Sequence, residues 1–112
     1  MSTRKFHRIS SRRRIFKKSL VTSLIDHKRI ETTVTRAKEI RPLIEKFITT
    51  AKGGDLKSMR LLLARLPKHA ANKLYYDIAP QYKDRHGGYT RITKQARFRK
   101  RDGVALAIIE FV

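Results

Sequence analysis

The chain has 112 residues, 28 Lys or Arg against 9 Asp or Glu, and a formal charge of +19. That length suits a single domain with one modest core, and the charge lies far outside the magnitude of about 2 to 8 common in small soluble domains. There is no Cys, which excludes disulfides, thiolate metal sites and Cys nucleophiles, and no apolar run approaches the roughly 18 residues of a membrane span.

The charge is focused. Residues 1 to 18 hold eight basic residues and no acid, and residues 85 to 101 hold seven and no acid. Clusters of this kind repel one another in a compact chain and favour a polyanionic partner. The opening "MSTRKFHRISSRRRIFKKSL" has the Arg and Ser richness of a transit peptide. It also carries a large share of the basic surface and is read as part of the binding surface. Residues 1–9, without periodicity, are expected to form a basic arm, and 10–112 one globular domain ending in a basic hairpin.

Ser10 or Ser11 can cap a helix to about His27, with Phe16, Leu20 and Leu24 on one side and Ile15, Val21 and Ile25 widening the stripe. Arg12, Arg13, Arg14, Lys17 and Lys18 crowd its first turns, where the helix dipole favours acids. "RIETTV", residues 29 to 34, alternates as a short strand. A second helix from about Thr35 to Lys52 carries Ala37, Ile40, Ile44, Phe47, Ile48 and Ala51 at helical spacing, and a kink is expected at Pro42. Gly53 and Gly54 end it. Asp55 caps a third helix with an apolar face of Leu56, Met59, Leu62, Leu63 and Leu66, stopped by Pro67. "HAANKLYYDIA" reads as a fourth, closed by Pro80, with the Tyr75 and Tyr76 pair at the core margin.

The period then changes from 3.6 to 2. Residues 89 to 98 alternate as a strand, and "VALAIIEFV", residues 104 to 112, is apolar enough to be a central strand covered on both sides. Between them "RKRDG" forms a basic tip with Asp102-Gly103 as turn. The fold class is therefore α/β in the α+β sense, about four helices packed with a small sheet.

Arg and Lys clustered on an arm, a helix start and a hairpin suit the phosphates of a folded nucleic acid. The candidate RNA-binding residues are Arg4, Lys5, His7 and Arg8 of the arm; Arg12, Arg13, Arg14, Lys17 and Lys18 of the first helix; Arg36; and Arg85, His86, Gly87, Gly88, Tyr89, Arg91, Lys94, Arg97, Arg99, Lys100 and Arg101. The paired glycines permit positive φ and close approach of backbone to phosphate. Tyr89 and Phe6 could stack on bases, although core packing or simple exposure fits each as well. His7, His27, His69 and His86 lack metal-ligand spacing, and no acid-base constellation supports an enzyme or a small-molecule substrate. No metal or cofactor is expected. A helix-turn-helix is disfavoured because the fourth helix offers Lys73 and Asp77 where base-reading donors are needed. A general nucleoid-type protein is the alternative binding class; membrane-surface binding is weaker, since the second basic region is a hairpin.

"SLVTSLIDHKRIETTVTRAKEIRPLIEKFITTAK" (residues 19 to 52), "RHGGYTRI" (85 to 92) and "RDGVALAIIEFV" (101 to 112) closely resemble the bacterial large-subunit ribosomal protein family numbered seventeen, in order and over nearly the whole chain. The resemblance implies a three-stranded mixed sheet of order 1-3-2, in agreement with a central last strand. It implies a structural constituent of the large ribosomal subunit in the cytoplasm, bound to large-subunit ribosomal RNA beside neighbouring proteins near the peptide exit tunnel, with no enzyme activity. The chain departs from the family where it reads "MSTRK" and "SRRRIFKK" in place of Met-Arg-His and a His-Arg pair, and "QARFRKRDG" lacks a glycine often found before the tip.

Overall fold

The computed structural model describes residues 10–112, with the side chains of Ser10, Ser11 and Arg97 outside the described set. The expected arm, with Arg4, Lys5, His7 and Arg8, lies outside the described residues.

Helix α1 runs Ser10–His27, strand β1 Arg29–Thr33 and helix α2 Val34–Lys52. The turn from α1 to β1 rests on Lys28, which adopts φ 62° and donates its backbone N–H to the Leu24 carbonyl at 2.7 Å. That conformation ends a helix well but is strained for a residue with a Cβ. Lys28→Gly relieves this strain and gives up only an exposed ion pair with Asp77. It is therefore expected to stabilise the fold by up to about 1 kcal/mol, seen as a higher urea midpoint; an unchanged or lower midpoint would contradict this reading.

Thr33 then caps α2, its hydroxyl accepting the Arg36 N–H at 3.2 Å. Helix α2 runs uninterrupted through Pro42, the position of the expected kink. The missing bond frees the Lys38 carbonyl, and both residues face solvent, where water can take its place. Ala37, Ile40, Ile44, Ile48 and Ala51 form its buried stripe. Helix α3, Leu56–Arg65, is capped by Asp55, whose carboxylate accepts the Ser58 N–H at 2.8 Å. This bond, foremost, holds the Asp55 carboxyl below its ordinary range.

Helix α4, Lys68–Lys73, continues as a π-helical stretch Leu74–Ile78 and a 3-10 turn Ala79–Tyr82. The chain thus passes Pro80 where a terminating proline was expected. Proline fits the first turn of the 3-10 segment because its absent N–H would have no partner there. Tyr75 packs on the core whereas Tyr76 is exposed, their rings edge to face at 4.8 Å.

Strands β2, Thr90–Phe98, and β3, Ala105–Phe111, complete a sheet of order β1-β3-β2. The central place of the last strand holds. The pairing, however, is antiparallel throughout and not mixed: Arg29 faces Glu110 and Thr33 faces Leu106 on one side, Thr90 faces Phe111 and Lys94 faces Ala107 on the other. The helices cover a single face of β3. Ala107 and Ile109 are buried, while Leu106 and Ile108 are half-buried and Ala105 is exposed, so the expectation of cover on both sides fails. A bulge between Lys94 and Phe98 shifts the register of the outer hairpin, and Phe98 is left 60% exposed.

The core gathers Val21, Leu24 and Ile25 of α1, the α2 stripe, Leu62, Leu66, Leu74 and Ile78, and the two buried residues of β3. Tyr82 reaches across it to donate its hydroxyl proton to the Val112 carbonyl at 2.7 Å, and burial raises its pKa. The first half of α1 has less cover: Phe16 is half-buried and Ile15 67% exposed.

Candidate nucleic-acid interface

The acidic residues are largely occupied with holding the fold. Glu39 accepts from Lys17 at 2.8 Å, Asp26 meets His69 at 3.2 Å, Asp77 meets Lys28 at 3.4 Å, Asp55 caps α3, and Glu110 lies 2.9 Å from Arg91 and 3.8 Å from Arg29. Glu45 accepts the Tyr89 N–H at 3.0 Å. Little negative charge is left to neutralise the basic clusters from within.

On α1, Arg12, Arg14 and Lys18 are exposed and Arg13 is half-buried; no ion pair among the described residues engages these four. Lys17 differs, being mostly buried with Glu39, and Arg36 stacks its guanidinium over the Phe16 ring at 5.0 Å. These two positions tie α1 to α2 and give the exposed cations a fixed base.

The loop before β2 is held at its ends and open in its middle. Tyr89 is 3% exposed, edge to face with Tyr82 at 5.4 Å. Its hydroxyl donates to the Arg85 carbonyl at 3.1 Å and accepts from the Lys52 ammonium at 2.9 Å; that ammonium also donates to the Arg85 carbonyl. Tyr89 therefore clamps the loop from the core and cannot stack on a base. Gly87 and Gly88 sit at φ 141° and 63°, and a Cβ on either would meet nothing within 4 Å. Their need for glycine is conformational, and the open space leaves their backbone accessible beside exposed Arg85 and His86.

At the hairpin, Arg99 donates two hydrogen bonds to Asp102, at 2.9 and 2.5 Å. The same carboxylate receives the Val104 N–H at 3.4 Å, and Gly103 donates to the Arg99 carbonyl at 2.9 Å. Arg99 is thus engaged in forming the tip, and Arg91 in the pair with Glu110. Lys94, Lys100 and Arg101 are exposed without an ion pair among the described residues; the side chain of Arg97 lies outside the described set.

The Arg99 hydrogen bonds hold the Asp102 carboxyl at about 2. A depressed carboxyl contributes order above the ordinary Asp pKa of about 3.9, and loses it as pH falls through the folded value. A proton titration followed at the Asp102 side chain is expected to show its midpoint near 2, moving toward about 4 in Arg99→Gln. A wild-type midpoint already near the ordinary value would rule out the clasp.

The sequence places Phe47 on the apolar stripe of α2 but does not single out Phe47, Leu43 or Arg65 of α3 as site residues, and these three share a cavity with Arg13, Arg14, Lys17 and Lys18. Nothing local marks them, because the cavity exists only once three helices pack. Among the described residues no group of three or more His, Asp or Glu could hold a metal ion, and no helix is long and apolar enough to cross a membrane.

An antiparallel sheet with helices on one face carries a cationic helix start and a cationic hairpin, and most of its acids are engaged internally, which gives the character of a small, basic architectural protein. The chain belongs to the family described as Ribosomal protein L17, whose model matches residues 16–112. It is 46% identical to the large ribosomal subunit protein bL17 of Persephonella marina, across all of this chain and 92% of that protein. The bL17 of Caldanaerobacter subterraneus subsp. tengcongensis is 50% identical, with both chains covered completely. That of Bdellovibrio bacteriovorus is 51% identical over 96% of this chain and 59% of its own length. Membership makes this a ribosomal protein and not an enzyme.

Proposed function

We propose that the chain is a structural constituent of the large subunit of a cytoplasmic ribosome, where it binds folded large-subunit ribosomal RNA and supports translation. The observation that carries this reading is the unpaired charge: Arg12, Arg14 and Lys18 at one basic region, and Lys94, Lys100 and Arg101 at the other, are exposed while the carboxylates serve internal bonds. Each region neutralises phosphates of a different RNA segment, and the rigid core between them fixes the segments relative to one another. The open Gly87-Gly88 backbone lets RNA approach closely at a third point. Arg4, Lys5, His7 and Arg8 add further cations for phosphate binding in this reading. Neighbouring large-subunit proteins near the peptide exit tunnel complete the surroundings.

A competition assay at matched salt separates this from a general nucleoid role. Protein bound to a labelled large-subunit RNA fragment is expected to resist displacement by excess duplex DNA at a few hundred millimolar salt. Equal displacement by DNA and by unlabelled fragment would favour the nucleoid reading, because counterion release alone does not distinguish the two polyanions.

A further inference from the structure

The cavity between α1, α2 and α3 combines two kinds of lining. Its volume is about 700 Å³, and Arg13, Arg14, Lys17, Lys18 and Arg65 surround apolar Val21, Leu43, Phe47 and Leu66. A second hollow of about 240 Å³ adjoins it along α2 and α3, sharing Leu43, Phe47 and Arg65 and adding Lys46. No acidic residue is among the described lining of either. Lys17 is held by Glu39, but Arg14, Lys18 and Arg65 have no ion pair among the described residues, and the Arg13 Nε is buried without a hydrogen-bond partner. A buried, unsatisfied guanidinium nitrogen calls for an acceptor.

A duplex presents phosphates to a basic surface but keeps its base faces stacked, so it has no use for an apolar floor. An unstacked nucleotide needs both features: a flat aromatic or aliphatic surface for the base and cations for its flanking phosphates. The first cavity falls within the range of about 300 to 1,000 Å³ typical of ligand sites. We propose that this groove seats an extruded nucleotide of single-stranded or bulged RNA, with the base against Leu43 and Phe47 and the phosphates on Arg14, Lys18 and Arg65. The inference rests on the RNA-binding reading and adds to it a preference for unpaired RNA, located at a site that includes α3. The adjoining hollow, bordered by Lys46, continues the same lining for the next nucleotide along the strand. Charge selects this occupant over an apolar peptide, for which a ring of cations would be a desolvation cost.

The test uses the full chain, isotope-labelled on methyl and aromatic groups, titrated at matched salt with a hexauridine strand and with a self-complementary RNA duplex. The expected result is that hexauridine shifts the Val21, Leu43, Phe47 and Leu66 signals while the duplex leaves them in place. Phe47→Leu, which keeps the floor apolar, is expected to weaken hexauridine binding about 10-fold with duplex binding unchanged. Floor signals that stay fixed while both RNAs bind would overturn the nucleotide seat and leave RNA binding intact. Equal shifts with duplex and single strand would also overturn it. Failure of both RNAs to bind would remove this inference together with the reading beneath it, whereas failure of hexauridine alone would overturn the nucleotide seat only.

Discussion

Replacing Arg12, Arg14 and Lys18 together by glutamine is expected to weaken binding to a large-subunit RNA fragment by about 100-fold, taking about 1 kcal/mol for each lost charged contact. The slope of log affinity against log salt should flatten by about three, one for each phosphate contact removed. Because all three side chains are exposed, the fold should survive the change. The hairpin set, Lys94, Lys100 and Arg101, is expected to give a separate loss that adds to the first, since the sets stand on different elements and share no partner among the described residues. By contrast, Arg99→Gln should affect RNA affinity mainly through the order of the tip, because its guanidinium is engaged by Asp102. Isothermal titration at several salt concentrations measures both affinity and slope. A triple variant with wild-type slope would show that these cations do not meet phosphates.

The largest expected stability effect lies at the centre of α2. Ile44 is fully buried, on the stripe that packs against the rest of the core. Ile44→Ala should cost about 2 to 5 kcal/mol through lost burial and the cavity left behind. Domains of this kind hold about 5 to 15 kcal/mol in total, and crowded positive charge opposes compaction in this one. The variant is therefore expected to lose a large part of its urea resistance when free, and to regain some when RNA is bound, as linkage requires. A loss below about 1 kcal/mol would mean that the core can collapse around the gap.

The sequence carried the order of elements well, because long periodic helices and a Gly-punctuated hairpin are local signals. It carried depth less well. On α3 and its C-terminal cap, Leu62 and Leu66 are buried, but Leu56 is 65% and Leu63 43% exposed. A five-residue apolar face was legible; how much of it a neighbour covers was not. The same limit applies to β3, whose apolar run suggested two covered faces although the helices lie on one. Tyr89 shows how a residue inside a basic loop can belong to the core: the bonds that decide it come from Glu45 and Lys52, about forty positions away. Arg99 and Arg91 counted as free charges until Asp102 and Glu110 were placed beside them. Pairing direction likewise depended on the path of the intervening helices. The cavity that Arg65 completes required α1, α2 and α3 to be assembled before it could be seen at all.

The central claim is that two fixed basic regions hold this chain to one architecture of RNA, and sedimentation of the tagged protein from a cell lysate tests it most directly. Gradients run at low salt and at several hundred millimolar are predicted to keep it with the large subunit at about one copy each, because geometry and stacking persist when counterion release is suppressed. Protein spread over all nucleic acid at low salt and free at high salt would contradict the account, leaving a general polyanion binder in its place.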